Sequence, residues 1–248
     1  MAWAAFLALP AGAGASLTWS AGAPIDPHAA GIPLSAVACA STTECTAVDG
    51  QGREVTFDPG SPLGATAATV SKYALTALAC PAATQCTAVD VAGEEVTFNP
   101  LSPGSPAPAV VDTTGVFPLA IACPTAGQCT LVDESGGEVT FNPQTSAVIG
   151  SAVVDPPPIP GQNQILVGVD CPSATQCSAV DTVGQQVTFN PQSPGIPAPA
   201  LIEGGSPVAV ACPAITECVV VDTTGGEFGF GNSAFSTTID GTGANAVA

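Results

Sequence analysis

A β-propeller of five four-stranded blades is the fold class this sequence predicts, on three observations. One segment recurs five times, at residues 34–59, 75–100, 118–143, 166–191 and 207–232. From first cysteine to first cysteine the steps are 41, 43, 48 and 41 residues, and a period in the forties built of short strands marks propellers and related arrays. Each copy reads as β-type runs, with helical apolar spacing absent throughout. The ten cysteines fall as five Cys-x5-Cys pairs, one to a copy.

The second copy, LTALACPAATQCTAVDVAGEEVTFNP, serves for all. Residues 75–80 alternate and are expected to form the first strand, stopped by Pro81; residues 81–85 form a short connection to a second strand at 86–90. Asp90-Val91-Ala92-Gly93 has hairpin-turn chemistry: the Asp side chain bonds the backbone ahead of it and Gly supplies positive φ. Residues 94–98 make the third strand, closed by Asn99-Pro100. After a Pro- and Ser-rich stretch, residues 109–112 make the fourth.

The first strand of each unit is predicted to be innermost. Its Ala36/Ala38, Ala77/Ala79, Ala120/Ala122 and Ala209/Ala211 are small, which suits a crowded axis. Gly168 and Asp170 take those places in the fourth unit, so that blade is expected to sit least regularly at the centre. Val37, Leu78, Ile121, Val169 and Val210 are predicted to wedge between blades, as are Phe57, Phe98, Phe141, Phe189 and Phe230.

Residues 1–15 are apolar and rich in small residues and resemble the latter part of a secretory signal, although without a basic leading region. That run is too short, and too broken by Pro10, for a spanning helix, and no later segment qualifies. Residues 16–248 are expected to form one propeller domain. Within it, residues 16–26 (SLTWSAGAPID) read as a strand pairing at the junction of the first and last blades, with Trp19 packed between blades. Pro cannot donate to a ladder, so the links 60–64, 101–108, 155–161 and 192–199 read as loops or edges. The clearest insertion is 155–161.

The chain of 248 residues is 46% hydrophobic, which is ample for a core, and only 9% charged. Its formal charge is −18, and Arg53 and Lys72 are its only Lys or Arg residues. A phosphate-neutralising patch cannot be built from two cations, which excludes nucleic acid as a partner and disfavours anionic membranes. A monomer is expected.

The cysteine pairs are Cys39/Cys45, Cys80/Cys86, Cys123/Cys129, Cys171/Cys177 and Cys212/Cys218. Each flanks a hairpin loop, so the two Cβ atoms meet across an antiparallel pair. Structural zinc prefers two to four residues between ligands and needs four ligands together. Five separated pairs fit local disulfides better, and such bonds persist in oxidising compartments. The ten cysteines thus enter the set of candidate site residues as bridges. A secreted or cell-surface location is expected.

Asp49, Asp90, Asp133, Asp181 and Asp222 recur at the same place in each unit. If the second-to-third-strand turns emerge on one face, these carboxylates form a ring there, able to hold Ca²⁺ or a polyhydroxylated ligand. The other reading is an Asx-type turn residue repeated with the blade. No other cofactor is indicated, and no metal ligands are assigned. His28 is the sole histidine, and paired cysteines leave no thiolate nucleophile. Neither a phosphate-binding glycine loop nor a metalloprotease motif is present. The expectation is an extracellular, non-catalytic module that recognises or scaffolds a glycan or protein. The alternative is a carbohydrate-active enzyme, hydrolase or lyase-like, using a pair of carboxylates on the loop face.

The repeat signature is [AVD]-C-P-x4-C-x-[AVL]-V-D-x-x-G-x-x-[VF]-x-F, preceded by Thr-Trp-Ser at residues 18–20. It resembles tandem repeats of secreted actinobacterial proteins whose units are similar to blades of sialidase-type, Asp-box-like propellers. The resemblance covers residues 16–240. Ala40 stands where the other four units have Pro, and the fifth unit has Phe228-Gly229-Phe230-Gly231-Asn232 for Val-Thr-Phe-Asn-Pro. The Asp-x-x-Gly spacing is wider than in an Asp-box. Sialidase chemistry, by that resemblance, requires clustered arginines; Arg53 stands alone, so the activity is not expected.

Overall fold

The computed structural model describes residue 25 and residues 31–156, 164–202, 205–232 and 235–238. The expected signal at 1–15, Trp19, His28 and, apart from Ile25, the strand expected at 16–26 lie outside the described residues.

Every unit is a four-stranded antiparallel meander, and the described residues contain no helix. Blade 1 holds β1 (Leu34–Ser41), β2 (Glu44–Asp49), β3 (Arg53–Phe57) and β4 (Ala67–Thr69). Blade 2 holds β5 (Leu75–Ala82), β6 (Gln85–Asp90), β7 (Glu94–Phe98) and β8 (Ala109–Val110). Blade 3 holds β9 (Pro118–Thr125), β10 (Gln128–Asp133), β11 (Gly137–Asn142) and β12 (Ala147–Val153). Blade 4 holds β13 (Leu166–Ser173), β14 (Gln176–Asp181), β15 (Gln185–Phe189) and β16 (Ala200–Leu201). Blade 5 holds β17 (Pro207–Ala214), β18 (Glu217–Asp222), β19 (Gly226–Gly231) and β20 (Phe235–Thr238).

Two details of the strands differ from the sequence reading. Pro81 does not end its strand; it lies inside β5, at a register shift between Ala79 and Ala82. Pro124, Pro172 and Pro213 sit at the same shift. A bulge needs no ladder donor, so Pro is accommodated there. The fourth strand is only two residues long in blades 2 and 4 but seven in blade 3. The Pro-rich links preceding β8 and β16 remove donors, whereas residues 144–154 contain no Pro.

Register divides each blade into two faces. One row crosses blade 3 as Ile121, Leu131 and Val139, and blade 2 as Leu78, Ala88 and Val96. This row, with Phe98 or Phe141 and the disulfide, faces the preceding blade. The opposite row, Ala77, Val89 and Glu95 in blade 2, faces the following one. Ala77, Val89 and Val111 of blade 2 share one buried cluster with Ile121, Leu131, Val139 and Phe141 of blade 3. The small residues of the first strands thus permit close approach of neighbouring blades.

The first strands pack in series, β1 on β5, β5 on β9, β9 on β13 and β13 on β17. All five line two cavities of about 360 and 350 Å³, so the first strand of every blade is innermost around a common axis. Among the described residues, no packing of comparable extent joins β17 to β1. The exposure of the wedge residues marks the same seam. Leu78, Ile121, Val169 and Val210 are 7–8% exposed, whereas Val37 is 60% exposed. Val37 is a correction to the wedge prediction: among the described residues no blade packs on it.

Blade 4 is also more regular than expected. Asp170 Oδ1 accepts from the Cys171 amide at 2.8 Å, and Oδ2 accepts from the Cys212 amide of blade 5 at 2.6 Å. A satisfied carboxylate therefore bridges two inner strands, and Gly168 lets β17 approach.

All ten cysteines form the five local disulfides, Cys39–Cys45, Cys80–Cys86, Cys123–Cys129, Cys171–Cys177 and Cys212–Cys218, with Cα atoms 3.9–4.1 Å apart. These are the pairs that the spacing predicts, and register shows where they sit in the blade. The second cysteine of each pair does not sit at the loop surface: Cys45, Cys86, Cys129, Cys177 and Cys218 are buried at 0–4% exposure. Register is the reason. Each lies on the second strand opposite an aromatic ring, Cys45 against Phe57, Cys86 against Phe98, Cys129 against Phe141, Cys177 against Phe189 and Cys218 against Phe230. These positions belong to the apolar row of the blade, so the five sulfurs are core packing.

Each bridge closes a small loop, so replacing both Cys80 and Cys86 by Ala is expected to cost about 2 kcal/mol. Urea unfolding measures the loss, and non-reducing mapping with a Glu-specific protease, suited to a chain with two basic residues, should recover each Cys joined to its partner six positions on.

Candidate functional site on the turn-bearing face

The turns between second and third strands share one construction. Asp133 Oδ1 accepts from the amides of Ser135 and Gly137 at 2.7 and 2.9 Å. Asp90 Oδ1 takes Ala92 and Glu94, and Asp181 Oδ1 takes Val183 and Gln185. Asp49 Oδ1 takes Gln51 and Arg53, while Arg53 pairs with Oδ2 at 2.6 Å. Asp222 Oδ1 takes Thr224 and Gly226. Burial raises the Asp222 pKa, but these bonds outweigh it and hold the carboxyl below its usual range. All five carboxylates are buried. The structure thus places the five aspartates inside five separate turns, where they hold backbone amides, and does not bring them together. Among the described residues, no three His, Cys, Asp or Glu side chains are grouped to hold a metal. Asp90→Ala should leave two turn amides unanswered and cost about 2–3 kcal/mol, read as a fall in thermal midpoint.

The glycine that follows receives the end of the fourth strand. Gly136 has φ +77°, and its carbonyl accepts from the Val154 and Asp155 amides. A Cβ at Gly136 would stand 2.1 Å from the Asp155 carbonyl oxygen, so both the backbone conformation and the space demand glycine. Gly52 and Gly93 receive Val70/Ser71 and Val111/Asp112 in the same way.

In blades 1 to 3 the residue that ends the fourth strand therefore lies towards the next blade. Ser71 Oγ donates to Asp90 Oδ2 of blade 2 at 2.8 Å. Asp155 holds the corresponding place against Asp181 of blade 4. Neither Asp155 carboxylate oxygen has a hydrogen-bond partner, and burial followed by the Asp181 charge pushes its pKa up to about 7. These residues were not singled out from sequence. Their signal was the repeated Val-Ser or Val-Asp pair at 70–71, 111–112 and 154–155.

Between blades runs a second buried polar line. Thr46 and Thr56 hydroxyls bond at 2.9 Å, and Thr56 donates to Glu54 Oε2. Blades 2 and 3 repeat this with Thr87, Thr97 and Glu95 and with Thr130, Thr140 and Glu138. Ser146 of blade 3, at φ 56°, donates to Glu95 Oε1 across the interface. Blade 4 uses Ser178, Thr188 and the neutral Gln186.

One surface feature breaks the repeat. Lys72, 65% exposed, lies 3.5 Å from Glu94 and 4.7 Å from the centre of the Tyr73 ring. Glu94 raises the pKa of the ammonium. Beside them an open cleft of about 300 Å³ is lined by Thr69, Ser71, Lys72, Glu94, Ser105, Pro106 and other link residues. Arg53 is committed to Asp49, so Lys72 is the solvent-facing one of the chain's two Lys and Arg side chains.

These observations define a disulfide-stapled, propeller-like repeat protein. Its blades meet through apolar faces and a buried polar line, and a cleft lined by Lys72 and Glu94 lies between blades 1 and 2. No family model matches the chain, and no curated protein matches its sequence. Numerous solved chains share the fold. The structure of U3-55K is similar with a TM-score of 0.68 at 8% identity, covering 81% of this chain and 62% of that one. That likeness shows the fold alone, and this chain spans less than two thirds of that protein's length. The five disulfides suit an oxidising environment, and no described helix is long and apolar enough to cross a membrane.

Proposed function

We propose that the protein is an extracellular, non-catalytic propeller that recognises a glycan, of the secreted repeat class its signature resembles. The observation that carries this reading is the cleft at the blade 1–2 junction. It joins an exposed ammonium, a carboxylate, hydroxyls and proline carbons, with the Tyr73 ring beside Lys72. Sparse polar groups on an apolar lining fix the orientation of a small ligand, and a tyrosine offers a flat apolar body with a polar tip. Lys72 and Glu94 supply a donor and an acceptor together, as vicinal hydroxyls require. A glycan array probed with the intact protein, with and without Ca²⁺, tests the reading. Selective binding that Tyr73→Ala and Lys72→Ala each reduce at least tenfold supports it. Binding equal in both variants, or polysaccharide turnover abolished by changing one carboxylate, overturns it.

A further inference from the structure

We infer that the junction between blades 3 and 4 is a proton-operated latch, in which a hydrogen bond from protonated Asp155 to Asp181 joins the blades and loss of that proton releases them. The blade 1–2 junction shows how a donor at this position joins two blades. There the residue ending the fourth strand is Ser71, whose hydroxyl donates to Asp90 Oδ2 at 2.8 Å. Its amide and that of Asp155 make the same bond to a turn glycine, Gly52 and Gly136 respectively. Asp155 thus occupies the donor position of Ser71 and faces an aspartate equivalent to Asp90.

A carboxylate has no donor, so Asp155 fills that position only as the acid. Asp181 is the acceptor of the pair, because its Oδ1 already takes two turn amides and its Oδ2 takes the Gln164 amide at 3.2 Å. Asp155 and Asp181 are both almost wholly buried, and two ionised carboxylates in contact there repel with little screening. Asp181 is the titratable group facing Asp155 from blade 4. Gln164 brings an uncharged amide from the link, and Gly136 of blade 3 brings only backbone. Arg53 and Lys72 are engaged at Asp49 and Glu94 of blades 1 and 2 and give no compensation here. Burial and the Asp181 charge set the transition near pH 7. As pH rises through it, the proton passes to solvent and the junction carries two like charges.

Amide hydrogen exchange of the full chain at pH 5.5 and pH 8.5, corrected for the intrinsic rate, reads the latch directly. The Asp155 and Thr182 amides, which bond Gly136 and Ile165, report on this junction. Those of Ser71 and Val91, which bond Gly52 and Ala74, are the internal control at the Ser71 junction. Each junction also carries one buried glutamate raised to about 7, Glu54 at the first and Glu138 at this one. The expected result is therefore a loss of protection at Asp155 and Thr182 at the higher pH at least tenfold greater than that at Ser71 and Val91. Asp155→Ser, which installs the arrangement of the first junction, should reduce the loss at position 155 and Thr182 to that seen at Ser71 and Val91. Equal losses at both junctions, or an excess loss that persists in Asp155→Ser, overturns the proposal.

Discussion

Phe141→Ala is expected to destabilise the protein by about 3–5 kcal/mol, measured by urea unfolding at constant pH. The ring is fully buried against blade 2, in one cluster with Ala77, Val89, Val111 and Leu131. Its loss leaves a cavity that two facing sheets cannot close without moving as bodies, so the cost combines lost transfer energy with the void. The matched contrast is at the first strands. Leu78→Ala, on a residue buried against blade 1, should cost about 2–4 kcal/mol, whereas Val37→Ala, at the exposed equivalent position, should cost less than about 1 kcal/mol. Equal losses at Leu78 and Val37 would mean that the first blade's outward face is covered in solution, and the seam would be disproved.

Thermal stability is expected to rise as pH falls from 8 to about 5, the reverse of the usual acid response. Burial pushes Glu54 and Glu138 up to about 7, partly opposed by hydroxyl bonds from Thr56 and Thr140. Burial also raises Glu95, opposed by Ser146 and Thr97. A folded pKa above the unfolded value means that the folded state holds more protons between the two. The contribution is therefore fully present below the unfolded pKa of about 4.3 and lost as pH rises through about 7. At 1.36 kcal/mol per unit, that rise is worth at most about 3–4 kcal/mol for each of Glu54 and Glu138, and partial solvent screening brings it to on the order of 2–3 kcal/mol. Asp222, whose pKa is lowered, acts the other way but only as pH falls below the ordinary carboxylate range. Gln186 in blade 4 is the neutral counterpart already present in the chain. Glu138→Gln should accordingly gain stability at pH 8, change little at pH 4.5 and flatten the profile. A melting temperature that climbs steadily from pH 5 to pH 8 would contradict the assignment.

The sequence by itself determined the blades. The five units, their four strands, the local disulfides and the Asp-x-x-Gly turns all follow from local rules: period-2 alternation, Asx chemistry, positive φ at glycine and a fixed Cys-x5-Cys spacing. The rows that wedge between blades were legible for the same reason, because each repeats in every unit. Pro81 misled because a bulge, which tolerates a residue without an amide hydrogen, has no local signature. What only the tertiary structure decided lies between units. The spacing paired Cys86 with Cys80, but only the neighbouring blade buries its sulfur. The recurring aspartates could read as a ligand ring or as turn residues, and burial with two amides on each Oδ1 came only with the packed blades. Glu54, Glu95 and Glu138 look like surface charges in an alternating strand, until the next blade covers them. Asp155 carries no mark of its own in the chain. Its partner, Asp181, is twenty-six positions away, and only the stacking of blade 4 on blade 3 turns two ordinary carboxylates into one buried pair. Val37 differs from its four counterparts in nothing but being first, which a repeat pattern cannot express and a seam in the array does.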